Sequence, residues 1–149
     1  MGFRGFEGSR SFNGIVMTNL SDVFILDVSD IEDVKEHRNK KHCLCVSVSG
    51  ICLFINTEDR EMYNGIKIEG YDFLKGQPRY VGCSKFFRFS EDRIIERVGS
   101  LTYADMERIA NKLKMARNKN ALKDVIFELE KWLESHSHVD SLIKVFKSH

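Results

Sequence analysis

Two apolar runs with a turn dipeptide between them dominate the pattern of this chain. Residues 43–48 and 51–55 are almost all Cys, Leu, Val, Ile or Phe, and Ser49-Gly50 separates them. Short runs of this kind, bounded by polar clusters, predict a β-hairpin buried on both faces. Its polar residues gather at the open end, with Arg38, Lys40, Lys41 and His42 leading in and Asn56, Thr57 and Arg60 leading out. A two-residue turn at Ser49-Gly50 would set His42 directly across from Thr57.

Around this hairpin the pattern is weaker. Residues 1–13 mix Gly, Phe, Arg and Ser without periodicity and read as a loose arm. Residues 14–28 read as two short strands broken near Asn19, or as one kinked strand. Ser29 with Glu32 fits a capping box for a short helix, and a long charged loop fits the same residues equally well. Beyond the hairpin, Ile66-Lys67-Ile68 alternates as a strand with Lys67 outward. Residues 70–78 hold Gly70, Gly76 and the only proline, and read as a loop. Strands follow at 79–83, 86–89 and 94–98. At Thr102 the period changes. Thr102 is an N-cap with Asp105 three residues on, and Met106, Ile109, Ala110 and Leu113 share one helical face. A second helix starts near Asn120 on the stripe Leu122, Val125, Ile126, Leu129, Trp132 and Leu133. Ser135–His138 reads as its end, with a short third helix over 139–146.

Six to eight short strands followed by two or three helices define an α+β protein. The expected form is a small, strongly curved antiparallel sheet or partly open barrel, with the helices C-terminal. The expected organisation is the arm at 1–13, a barrel domain with the first helix at 14–117, and a helical extension at 118–149 packed on the same domain.

Composition narrows the partners. The chain has 149 residues, which suits one domain, and a net charge of +1, so a nucleic-acid surface has to be local. No apolar run approaches the roughly 20 residues of a membrane helix, and the first residues have no signal core. Cys43, Cys45, Cys52 and Cys83 lack the paired knuckles of a zinc site and read as buried, reduced thiols. A cytoplasmic protein without metal or cofactor is the expectation.

The order of these segments resembles a known family. A polar loop ends in Lys40-Lys41-His42, and a buried strand-turn-strand ends in Asn56-Thr57. A short strand, a Gly/Asp loop and Arg79-Tyr80-Val81-Gly82-Cys83-Ser84 come next, and Val98-Gly99-Ser100-Leu101-Thr102 opens a helix. Over residues 14–115 this is similar to the PemK/MazF-like group, the toxin half of bacterial toxin–antitoxin pairs. The resemblance implies an SH3-like barrel that cuts single-stranded RNA without metal, works as a homodimer and is held in check by an antitoxin protein. The family typically has Arg-Pro at the start of its second long strand, where this chain has Lys41-His42. The Gly-rich acidic signature of the preceding loop is also absent.

Metal-free RNA cleavage needs a base for the 2′-hydroxyl, a cation for the phosphate and an acid for the leaving oxygen. His42 titrates near neutrality and is the acid–base candidate. Lys41 is the candidate cation, and Thr57 the group that positions a phosphate oxygen or the 2′-hydroxyl. Arg38, Lys40, Asn56, Arg60, Lys85 and Arg88 are candidate RNA contacts, with Tyr80, Phe86 and Phe87 as stacking faces. Two other classes fit the same residues: a nucleic-acid-binding module without catalysis, and an interaction protein that works through its C-terminal helices.

Overall fold

The computed structural model describes residues 19–29, 40–115 and 123–147. The arm at 1–13, the first half of the 14–28 segment and the polar stretch that carries His37 and Arg38 lie outside these residues. Seven strands are described: β1 (Asp22–Asp27), β2 (Lys40–Ser47), β3 (Ile51–Asn56), β4 (Gly65–Ile68), β5 (Arg79–Gly82), β6 (Phe87–Arg88) and β7 (Ile94–Ser100). Two helices follow, α1 (Tyr103–Met115) and α2 (Lys123–Lys147). The protein is therefore α+β, a strongly curled antiparallel sheet followed by C-terminal helices. Strand order is β4-β5-β3-β2-β1-β7, and β6 pairs with the turn-proximal part of β3.

The hairpin β2–β3 is apolar on both faces because each face has its own core. Leu44, Val46, Leu53 and Ile55 point to a large core shared with Ile68, Val81, Met106, Ile109, Leu113, Val125 and Leu129. Cys43, Cys45, Cys52 and Phe54 point the other way, to Phe24, Leu26 and Val28, and Phe87, Phe89 and Ile94 cover that side. The strand period of two sorts the residues between the cores. All four cysteines are buried and unbridged. Burial raises the Cys43 thiol well above its ordinary value and pushes Cys83 up to about 12, so both stay protonated.

The turn of the hairpin has three residues, not two. Gly50 N–H donates to the Ser47 carbonyl at 3.1 Å, and Gly50 has φ +93°. A Cβ at Gly50 would lie 2.8 Å from the Phe89 carbonyl oxygen, so the turn needs glycine for space as well as for φ. A two-residue hairpin turn needs positive φ at its first central position, and Ser49 does not adopt it. The extra turn residue is followed by an irregularity between Cys45 and Ser47, after which Cys45 pairs with Cys52 and Cys43 with Phe54.

Thr102 caps α1 as the sequence predicts, accepting the Asp105 backbone N–H at 3.2 Å. The expected break at Ser135–His138 does not occur, and α2 runs through it as one helix of 25 residues. Ser135 and Ser137 each donate their hydroxyl back to the carbonyl three residues earlier, which satisfies them inside the helix. The His136 ring stacks on Trp132 at 4.2 Å between centroids. No helix among the described residues is long and apolar enough to cross a membrane.

Candidate functional site

The open end of the hairpin borders a pocket of about 600 Å³. Its lining brings together six residues singled out in the sequence, Lys40, Lys41, His42, Asn56, Thr57 and Arg60, with Tyr63, Phe73, Lys75 and Arg79. Arg88 is not among them: it pairs with Ile51 at the turn end of β3. Lys85 is also outside the pocket, with its ammonium 5.2 Å from the centre of the Phe87 ring. Arg38 lies outside the described residues.

Strand register determines which side chains cooperate. Continuing the β2–β3 pairing outward sets His42 across from Ile55 and Lys40 across from Thr57. His42 and Thr57 are therefore not directly opposed, which corrects the two-residue-turn expectation. The correction is a slip of two positions, and a slip of two leaves every side chain on its face. His42 still shares the face of Thr57, one pair deeper toward the core. The β3–β5 pairing, Ile55 with Val81 and Asn56 with Tyr80, continues to set Arg79 across from Thr57 on the other side. Carried one residue past the end of β3, these registers align Lys40 of β2 and Arg79 of β5 with Thr57 in the bend that follows β3, with His42 behind on the same side. Lys41 alternates to the opposite face, where its ammonium lies 5.4 Å from the centre of the Phe54 ring.

The charge of the pocket is one-sided. Five cationic residues border it, Lys40, Lys41, Arg60, Lys75 and Arg79, against one carboxylate, Glu58, although the Lys41 ammonium is turned to the Phe54 face. Glu58 is taken up by Arg60, which holds it through Nε at 3.0 Å and Nη2 at 2.8 Å. The Arg79 guanidinium donates to the Pro78 carbonyl at 3.0 Å, which steadies it at the mouth of β5. His42 is half-buried, and its pKa falls below the usual 6.5, first through desolvation and then through the positive charge of Arg79. The imidazole is therefore neutral at physiological pH, the form that accepts a proton.

Chemically, such an arrangement is suited to attract an anion and to offer it a neutral imidazole as a base. Among the described residues no group of three or more His, Cys, Asp or Glu side chains is placed to hold a metal ion. Arg79, Lys75, Tyr63 and Phe73 were not legible as site residues. Arg79, Lys75 and Phe73 lie on segments distant in sequence, brought to the hairpin by the pairing of β5 with β3 and by the fold of the 70–78 loop, whereas Tyr63 follows β3 closely in the turn Glu61–Tyr63. The one available signal was Arg79 at the first position of a strand, mirroring Lys40 at the first position of β2. No family model matches this chain, and no curated protein matches it.

Proposed function

We propose that this protein is a metal-independent endoribonuclease of the PemK/MazF type, acting on single-stranded RNA at the open end of the β2–β3 hairpin. The observation that carries this reading is His42, a half-buried imidazole with a lowered pKa on the wall of a pocket bordered by Lys40, Arg60, Lys75 and Arg79 and a single carboxylate. Cations in that excess bind phosphates, and a neutral imidazole among them is equipped to deprotonate a hydroxyl. In the reaction, His42 takes the 2′-hydroxyl proton and the 2′-oxygen bonds to the adjacent phosphorus. The bond from phosphorus to the 5′-oxygen breaks, and that oxygen takes a proton from water. The products are a 2′,3′-cyclic phosphate and a 5′-hydroxyl end. Arg79 and Lys40 flank Thr57 and stabilise the charge that grows on the phosphate, while Thr57 orients it. Lys41 contributes to the field of the pocket from the opposite face of β2.

The same reading extends to the rest of the chain. The curled sheet acts as an SH3-like barrel, the working form is a cytoplasmic homodimer, and an antitoxin protein restrains the activity. The test is incubation of the purified protein with a long single-stranded RNA in EDTA, beside His42→Gln and Arg79→Gln. Cleavage to cyclic-phosphate ends by the parent protein, lost by about 10²-fold or more in His42→Gln, is the expected result. Intact RNA with the folded parent protein overturns the enzyme reading. A gel shift on the same samples then reports whether a binding module remains.

A further inference from the structure

The 70–78 segment adds an aromatic ring, Phe73, to the lining of the pocket, and that ring is held by specific contacts. Phe73 lies in a single 3-10 turn, Asp72–Leu74, and lines the pocket while its neighbour Leu74 is buried in the main core. One edge of the Phe73 ring rests on Gly99 of β7. A Cβ at position 99 would come within 2.6 Å of Cδ2 and 2.7 Å of Cε2, so only glycine lets the ring sit there. The other flank is held by Tyr71, whose ring is 5.3 Å from that of Phe73 and tilted by 53°. Tyr71 is itself anchored to the start of α1. Its hydroxyl donates to the Asp105 carboxylate at 2.5 Å and accepts the Thr102 backbone N–H at 3.0 Å. Phe73 packs against the main core on one side and, being only partly buried, also lines the pocket, so part of the ring stays open to a ligand there.

A polyanion alone would be satisfied by Lys40, Arg79 and their neighbours. A nucleotide uses cations and ring together, with its phosphate on the cations and its base on a flat ring. We infer that Phe73, seated on Gly99 and braced by Tyr71, is the base-stacking wall of this pocket, so that the site binds a nucleotide through its base as well as its phosphate. The inference rests on the RNA reading of the site and adds base recognition to it. A pocket of about 600 Å³ is large enough for one nucleotide unit. The role is one of binding, and the proton transfer stays with His42.

The test compares two 2′-O-methyl oligonucleotides of equal length, which the proposed reaction cannot cut. One carries all its bases and the other is abasic throughout. Affinities are read by fluorescence anisotropy for the parent protein, Phe73→Leu and Phe73→Tyr, with thermal unfolding to check that each is folded. The parent is expected to prefer the oligonucleotide with bases by about tenfold. Phe73→Leu, which keeps apolar bulk but loses the flat ring, should abolish that preference and leave abasic affinity unchanged, while Phe73→Tyr retains the preference. A parent protein that binds both oligonucleotides equally overturns the inference, and so does a preference that survives in Phe73→Leu. If the parent binds neither, the RNA reading fails and the inference falls with it.

Discussion

The two ends of the β2–β3 hairpin carry polar groups in very different states. At the turn end, Ser47 is fully buried, and its hydroxyl donates to the Glu128 carboxylate of α2 and lies 2.7 Å from the Ser49 hydroxyl. Glu128 also accepts the Val48 backbone N–H at 3.0 Å, and Ser49 N–H donates to the Ser47 hydroxyl. Donors and acceptors match, and one carboxylate from a helix distant in sequence closes the set. At the open end, charges of one sign accumulate, and the single carboxylate there is already engaged by Arg60. A matched polar set lowers the free energy of the fold and leaves nothing for a ligand. An unmatched set costs stability through repulsion and desolvation, and an anion can recover that cost. Within one hairpin, then, one end has its polar groups satisfied by one another and the other carries an excess of positive charge.

Breaking each end in turn should give opposite phenotypes. Glu128→Ala removes two hydrogen bonds to a charged group and is expected to lower unfolding free energy by about 2 kcal/mol in chemical denaturation, with RNA affinity nearly unchanged. A loss of RNA binding equal to that of a pocket variant would show that the two ends are not separable. Arg79→Gln should do the reverse, leaving the denaturation midpoint in place. RNA affinity should fall, and the slope of log affinity against log salt should become shallower by about 0.7 for the one phosphate contact removed. An unchanged salt slope would remove Arg79 from the phosphate-binding set.

The hairpin itself was legible because its signal is local and continuous: apolar runs, a Gly at the turn and polar tips all lie within 43–57. Thr102 with Asp105 was legible for the same reason, since a cap and its helix are neighbours in sequence. What escaped was the count of turn residues, because Ser49-Gly50 satisfies the local rule for two while the carbonyl of Phe89, packed on Gly50, helps to select three. The continuation of α2 past Ser135 escaped because serine breaks helices only when its hydroxyl competes with the backbone, and here it bonds back within the helix. The site was half legible. Lys40, His42, Asn56 and Thr57 lie on the two strands whose pairing is local, whereas Arg79 and Phe73 arrive through pairing and packing that no short window encodes.

The smallest effect follows from the protonation of His42, and it sharpens the contrast between the ends because it belongs to the open end alone. The folded-state pKa of His42 is lowered below the 6.5 of the unfolded chain by desolvation and then by Arg79. Between the lowered value and 6.5 the unfolded chain binds more protons than the folded one, so stability rises with pH across that window. The contribution is complete above about pH 6.5 and is lost as the pH falls through the window. Denaturation at a series of pH values should show this slope in the parent protein, and His42→Gln should lack that part of it. Arg79→Gln removes one of the two causes of the shift, so it should move the His42 titration, followed by imidazole NMR, back toward 6.5. The rising limb of the pH–rate profile should move to higher pH by the same amount, because that limb reports the base. A His42 titration that ignores Arg79→Gln would mean that burial alone sets its charge, and Lys40, Thr57 and Arg79 would then bind phosphate without tuning the base beside them.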